Sequence, residues 1–352
     1  MKITTIEVPD YELVKHCEDP ESGLNAIVAI HNTVLGPALG GMRMYPYPSF
    51  DDALTDVLRL SRGMTFKSAV AETGLGGGKS VILGDAKKDK SEALLEAMAK
   101  FIDSIGGKYI TAEDSGTNVD DMVHIRKFTK FVTGLPLEMG SSGDPSPYTA
   151  LGTFLGMKAC VEEKLGSSSF ESVHVALQGV GHVGMYLLDH LVKAGARVSV
   201  CDVWEDALNE VRAKYPAVEV VDPDTIYDVD CDVFSPNAMG AIVNEETIPR
   251  LKAKVIAGAA NNQLREDEDG MRLRQRGILY APDYVINAGG IINVSVELED
   301  GGYDEARSRR KVNNIYDAVK EIIDISKKHD MPTAQAAHEI AVRKLNASPR
   351  AS

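Results

Sequence analysis

The stretch VHVALQGVGHVGMYLLDHLVKAGARVSVCD, residues 173–202, runs from an alternating apolar segment through a glycine turn into a helical pattern, then to a second apolar segment closed by an acid. Gly179, Gly181 and Gly184 spell GxGxxG. In that motif the first glycine allows a tight turn, the second lets the backbone approach a pyrophosphate, and the third lets helix and strand pack closely. The helix start then offers its free amides and positive dipole end to the phosphates. Residues Gly179, Val180, Gly181, His182, Val183 and Gly184 are therefore candidate cofactor contacts, His182 as a helix-start spacer. Asp202 follows Gly184 by 18 residues, at the strand end where an acid bonds the adenosine ribose hydroxyls. Its carboxylate would repel a 2′-phosphate, which favours NAD over NADP. A glycine-rich βα turn with no ligand is the plain alternative; the strand–helix–strand order and the acid weigh against it.

Outward from this unit the same rhythm continues. ARVSVCD and KVIAGAA alternate with helical stretches, the signature of a parallel α/β sheet. LGTFLGMKACVEEKL, just upstream, reads as an amphipathic helix entering the unit. Before it, LPLEMGSSGDPSPYTA (135–150) has the proline, glycine and serine content of a connecting segment. The N-terminal part mixes strands (AIVAI, 26–30; SVIL, 80–83; KYITAED, 108–114) with helical patterns such as DDALTDVLRLSRGM and EALLEAMAKFIDSI. KVNNIYDAVKEIIDISKK and PTAQAAHEIAVRKL give two C-terminal amphipathic helices separated by Pro332. The expected architecture is α/β in two domains: an α/β substrate domain over 1–134 and a doubly wound, Rossmann-type dinucleotide-binding domain over 135–330. The last helix, about 331–352, could pack back on the first.

Composition agrees. A chain of 352 residues exceeds the size at which single cores stop growing. A net charge of −14 argues against a nucleic-acid surface and suits a protein handling small molecules. The four cysteines are scattered without a CxxC pair, so neither a disulfide framework nor a metal site is indicated. The N-terminus lacks a signal peptide's apolar core, and no apolar run approaches the roughly 20 residues that span a bilayer. A reducing cytoplasm is the natural compartment.

TGLGGGKS, residues 73–80, poses a separate question. Gly78, Lys79 and Ser80 fit the end of a phosphate-cradling P-loop, but the position of its first glycine is Thr73. A P-loop also opens into a helix, whereas SVIL reads as a strand. Lys79 thus calls for another use. GMTFK ends in Lys67 and TAED ends in Asp114, and neither lysine lies on a polar face. A lysine alone is usually solvated surface. Two ammonium groups brought together in a partly dry cleft depress each other's pKa and make one a usable base near neutral pH. The other could pair with a substrate carboxylate, and Asp114 supplies a second proton acceptor.

These segments, together with GPALGGMRM (36–44), YITAEDSGT (109–117), GDPSPYTALG (143–152), GAANNQL (258–264) and APDYVINAGGIINV (281–294), resemble the glutamate/leucine/phenylalanine/valine dehydrogenases over roughly residues 10–345, and most of all the leucine-type members. The resemblance implies a substrate and oligomerisation domain followed by a Rossmann domain, a catalytic cleft between them, and a homo-oligomer. It implies NAD-dependent, reversible oxidative deamination of an L-amino acid to a 2-oxo acid and ammonia. Lys67 would bind the α-carboxylate, and Lys79 would be the base activating water against the imine. Asp114 would shuttle the amino proton. Asn262 would contact the carboxylate and the nicotinamide side, and Gly40 and Gly41 would let the backbone approach the substrate. The side-chain pocket would be lined by Leu39, Ala112, Ile291 and Val294, which suits leucine, valine or isoleucine, though core packing alone would explain four apolar residues. Leu39 stands where glutamate-specific relatives carry a lysine, and an apolar pocket cannot solvate a second carboxylate. Asn237, Ala241 and Met42 depart from the leucine-type pattern, at positions where Cys, Gly and Thr are expected. Asn261 replaces a leucine, in a GAANNQL run shared with valine-, phenylalanine- and tryptophan-type members, so an aromatic substrate is the alternative. A non-catalytic NAD-binding protein or an NTP-binding protein is the remaining rival; intact Lys67, Lys79 and Asp114 speak against the first, Thr73 and the SVIL strand against the second.

Overall fold

Three serine or asparagine caps set the helix starts of the N-terminal region. Ser49, Ser91 and Asn118 sit in extended backbone and accept from amides of the first turns of α1 (Phe50–Val70), α2 (Glu92–Asp103) and α3 (Val119–Arg126). The strands are β1 (Lys2–Thr5), β2 (Leu13–Asp19), β3 (Leu24–Asn32), β4 (Ala38–Tyr45), β5 (Gly76–Leu83) and β6 (Tyr109–Glu113), paired in the order β1-β2-β3-β5-β4-β6. β3 runs antiparallel to β5, while β4 lies parallel between β5 and β6. One face of the sheet buries Val28, Ile30, Met42, Ile82 and Tyr109 against α2 and α3; the other buries Ile27, Ala29 and Val81 with Ala53 and Val57 of α1. Each large apolar side chain so buried stabilises the fold by about 1.5–3 kcal/mol.

The structure, a computed structural model, describes residues 1–347. The chain separates into two compact units. The first comprises Met1–Asp144, Val294–Glu305 and the chain from Ala341; the second comprises Pro145–Asn293 and Ala306–Ile340. The connecting segment read over 135–150 is thus divided at Asp144/Pro145, because Ser146 and Pro147 already belong to α4 (Ser146–Leu165). The far end of the expected C-terminal helix, residues 348–352, lies outside the described residues.

The second unit continues with β7 (His174–Gln178), α5 (His182–Lys193), β8 (Arg197–Cys201), α6 (Glu205–Lys214), β9 (Glu219–Val220), β10 (Val233–Pro236), β11 (Val255–Ile256), α7 (Asp267–Gln275), β12 (Leu279–Tyr280) and α8 (Asp283–Ile286). Then come α9 (Gly289–Val296), α10 (Glu305–His329) and α11 (Thr333–Ala347), the last two separated at Pro332 as the sequence suggests. The sheet order is β12-β11-β10-β7-β8-β9, all parallel. In strand rank this is 6-5-4-1-2-3, the doubly wound order, whose direction reverses between β7 and β10. Ligands bind such sheets at the strand carboxyl ends of that switch point. The GxGxxG turn leaves β7 at that place.

Candidate active site on the first unit and nucleotide turn on the second

Side chains alternate across a strand, so the register decides which residues share a face. Leu39 pairs with Gly77 of β5 and with Ile110 of β6, and Gly41 pairs with Ala112. Lys79 pairs with Ala29 of β3, and the constant β4–β5 register sets it beside Gly41. Leu39, Gly41, Lys79 and Ala112 therefore project on one face, the α1 face, and Gly40 on the opposite one. Asp114, two residues beyond Ala112, continues the same side.

The TGLGGGK stretch is strand, not loop: β5 starts at Gly76 and carries Lys79 in its middle. Its glycines are required by the protein's own atoms. A Cβ at Gly77 would lie 2.1–2.6 Å from Thr65 atoms of α1, and one at Gly78 would meet the Tyr109 ring at 2.7 Å. At Gly40 a Cβ would lie 1.7 Å from the Gly78 carbonyl oxygen, and at Gly41 it would lie 2.6 Å from that of Glu113 and 2.8 Å from the Asp114 Cβ. Close approach of helix and neighbouring strands is thus sufficient reason for all four.

Lys79 is 6% exposed, and its Nζ donates to Asp114 Oδ2 at 2.6 Å. Arg43 of β4 had no role in the sequence reading, yet its Nε donates to the same carboxylate oxygen at 3.2 Å and its Nη1 to Asp56 of α1 at 2.8 Å. Tyr47 donates its hydroxyl to Asp56 at 2.6 Å. Burial pushes the Asp114 carboxyl up, but the Lys79 ammonium and the Arg43 guanidinium outweigh it and hold it below the usual carboxylate range. The period of two in GGMRM was the available signal: Arg43 stands two residues beyond Gly41. The turn bearing Asp114 is itself fixed to β4. Thr117 Oγ1 accepts from the Asp114 amide and donates to the Met42 carbonyl, and Gly116 (φ +83°) packs where a Cβ would lie 2.1 Å from the Met44 carbonyl oxygen. Lys67 sits half-buried in the last turn of α1, two residues past Thr65.

On the second unit, Gly179 (φ +94°) makes the turn that only glycine takes without strain, and its carbonyl oxygen would lie 2.1 Å from a Cβ at Gly184. Gly181 differs: a Cβ there would meet nothing within 4 Å. Gly181 caps α5 without a side-chain acceptor, and His182 beside it is exposed. Val183 is half-buried in the first turn. Both Asp202 carboxylate oxygens accept backbone amides, from Val180 at 2.8 Å and Trp204 at 2.9 Å, so the acid also holds the turn in shape. The residues fit a bound dinucleotide: an open helix start, one glycine facing free space, and a carboxylate at the strand end.

The GAANNQL loop is pinned from beneath. Gln263 is fully buried and donates to the Gly258 and Ala260 carbonyls, Asn237 accepts the Ala259 amide, and Asn287 donates to the Ala259 carbonyl and the Asn261 side chain. Asn262 is left exposed in left-handed backbone (φ +52°), its carbonyl accepting the Ala241 amide. Ile291 and Val294 are buried one turn apart on α9. Among the described residues no cluster of His, Cys, Asp or Glu could hold a metal ion, and no helix is long and apolar enough to cross a membrane.

Residues 12–131 match the Glu/Leu/Phe/Val dehydrogenase dimerisation domain, and residues 204–351 match the glutamate/leucine/phenylalanine/valine dehydrogenase domain. The leucine dehydrogenase of Thermoactinomyces intermedius is 51% identical over 97% of this chain and 92% of its own. The phenylalanine dehydrogenase of Lysinibacillus sphaericus is 46% identical, over 94% and 88%. Among solved structures, the L-tryptophan dehydrogenase of Nostoc punctiforme superposes with a TM-score of 0.82 at 42% identity, covering 96% of this chain and 97% of that one. With the Lys79–Asp114 pair on one sheet and a doubly wound sheet bearing GxGxxG, these matches establish that the chain belongs to the glutamate/leucine/phenylalanine/valine dehydrogenase family, an amino-acid dehydrogenase using a nicotinamide cofactor.

Proposed function

We propose that the protein catalyses the reversible, NAD-dependent oxidative deamination of an aliphatic L-amino acid, leucine with valine and isoleucine, to the 2-oxo acid and ammonia. The observation that carries this reading is the Lys79–Asp114 pair, its lysine buried and its carboxylate half-buried, on the same sheet face as Leu39 and Ala112. Cationic chemistry thus adjoins an apolar floor. Lys67 holds the α-carboxylate, assisted by Asn262. Asp114, an anion in the resting pair, takes the amino proton, and Lys79, once it has released its own proton to solvent, deprotonates the water that adds to the imine. Bound at the nucleotide turn, NAD would supply the acceptor for the Cα hydride. Leu39, Ala112, Ile291 and Val294 bound the side chain, and an unpaired carboxylate against them carries a desolvation cost that rejects glutamate.

The cofactor choice rests on Asp202, whose charge at the end of β8 opposes a 2′-phosphate. Because Asp202 also accepts the Val180 amide, replacing it with alanine would disturb the turn together with the ribose contact. Asp202→Asn, which removes the charge and keeps an acceptor, is the cleaner test and should narrow the gap between NAD and NADP. The match of residues 12–131 to a dimerisation domain supports a homo-oligomer. Four free, buried cysteines suit a reducing cytoplasm. NADH formation measured with a panel of L-amino acids tests the whole reading. Leucine, valine and isoleucine should give the highest kcat/KM; a preference for phenylalanine or tryptophan would transfer the assignment to the aromatic class.

A further inference from the structure

Lys79 and Asp114 form an ion pair at 2.6 Å, and a base at Lys79 must act as the neutral amine. In that state Asp114, with no other cation, would be left uncompensated in a partly buried place. The structure supplies a second cation. Arg43 Nε lies 3.2 Å from the same Asp114 oxygen that Lys79 touches, and its Nη1 lies 2.8 Å from Asp56. The four charges sum to zero with Lys79 protonated. When Lys79 gives up its proton, Asp114 keeps Arg43.

We propose that Arg43 is a positioning residue of this site: it fixes Asp114 against Lys79 from β4 and balances the Asp114 charge while Lys79 is neutral. The arrangement is built for placement. A guanidinium fork spans two carboxylates at once, whereas an ammonium would act as a point charge. Asp56 anchors the far arm on α1 and is itself held by the Tyr47 hydroxyl. The charged and titratable groups facing this cluster are Lys79 from β5, Arg43 from β4, Asp114 after β6, Asp56 from α1 and Tyr47 after β4; Tyr109 of β6 lies on the opposite face of the sheet and turns its hydroxyl to the Gly40 carbonyl. The depressed Asp114 carboxyl, held down by Lys79 and Arg43 against its burial, accords with this.

The inference rests on the reading of Lys79 as the base, and the test separates the two. The quantity read is the pH at which kcat/KM for leucine rises, in the intact enzyme. Arg43→Gln removes a cation beside Lys79, so the limb should move up by about one pH unit, a roughly tenfold loss of rate at a fixed pH on that limb. Asp56→Asn removes an anion, so the limb should move the other way by a smaller amount. Arg43→Lys keeps the charge but not the fork; it should leave the limb in place and lower kcat. Opposite displacements from Arg43→Gln and Asp56→Asn are not produced by loosened packing, which moves both rates without moving the limb. If Arg43→Gln fails to fold, Asp56→Asn and Arg43→Lys carry the test. A limb unmoved in Arg43→Gln, or unmoved in Asp56→Asn, overturns the proposal. Lys79→Ala with undiminished kcat overturns the base reading instead, whatever the Arg43 variants do.

Discussion

Two glycine clusters, Gly76–Gly78 in the first unit and Gly179–Gly184 in the second, look alike in sequence and do different things. In β5 every glycine is closed in by protein: Asn32 and Gly36 carbonyls, the Thr65 backbone and the Tyr109 ring occupy the places where Cβ atoms would go. The cluster thins the strand so that α1 and β4 can approach, and the lysine that follows is buried as a consequence. In the second unit Gly179 and Gly184 pack against each other, but Gly181 faces open space. Within the nucleotide motif, Gly181 is therefore the glycine that neighbouring protein atoms do not require, and the one that points to a ligand.

The largest effect expected concerns what the first cluster presents. Lys79→Ala should cost most of its effect in kcat, on the order of 10²–10⁴-fold, as loss of a general base does. The variant should still fold, because Asp114 retains Arg43 and is not left as a lone buried charge. Lys67→Ala should instead raise KM strongly, with a further loss in kcat if the Cα hydrogen is misplaced. Steady-state kinetics of the two variants settle the division of labour. Near-normal kcat in Lys79→Ala with an unaltered pH profile would remove Lys79 from the mechanism.

A matched pair of substitutions tests the comparison itself. Gly77→Ala places a methyl 2.2 Å from the Thr65 amide nitrogen and 2.6 Å from its Cα, backbone atoms that cannot swing aside. It should destabilise the protein by about 3 kcal/mol or more, the upper end for overpacking. Gly181→Ala meets nothing and should cost no more than about 1 kcal/mol, the loss of a good N-cap residue. Its effect should appear in NADH binding, weakened by about tenfold or more as the methyl enters the space of the pyrophosphate, an estimate equivalent to about 1.4 kcal/mol. Thermal unfolding and NADH titration of both variants give the answer. The comparison breaks if Gly181→Ala unfolds the protein and leaves cofactor affinity intact.

Much of this was readable from the chain, for identifiable reasons. The Rossmann unit announces itself because its strand, turn, helix and acid are contiguous in sequence. Lys79, Leu39 and Ala112 were legible one by one, yet their shared face follows from register between strands far apart in the chain, which no local pattern encodes. Arg43 was missed because an arginine on a strand reads as solvated surface until Asp56 and Asp114 are brought to it. β1 and β2 were missed as well: KITT and LVKHCED carry charged residues that mask the alternation, and β1 is exposed along its length. Asn237, noted as a departure at a position expected to be Cys, acquires a reason only in three dimensions, where it ties Ser235 to the Ala259 amide. No structural account emerges for Met42 in place of threonine beyond its burial in the sheet's α2 face.

The smallest prediction concerns a glycine that is missing. Ala241 stands where the family pattern expects glycine, and its φ is +59°, in the left-handed region. Asn262, across the hydrogen bond from the Ala241 amide to its own carbonyl at 2.7 Å, has φ +52°. Asparagine tolerates this conformation; alanine does not, and holding it there costs roughly 1–2 kcal/mol. Glycine would remove that strain but return about 0.5–1 kcal/mol through its looser unfolded chain. Ala241 is exposed, so no burial is lost. Ala241→Gly should therefore stabilise the protein by about 0.5–1 kcal/mol, read as a small rise in Tm. Leucine KM should stay the same, since the bond that positions Asn262 is a backbone bond that glycine also makes. A fall in Tm would show that the loop carries no strain at Ala241. An altered KM with a raised Tm would show that the strain aims Asn262 at the substrate, and that the alanine serves function at the expense of stability.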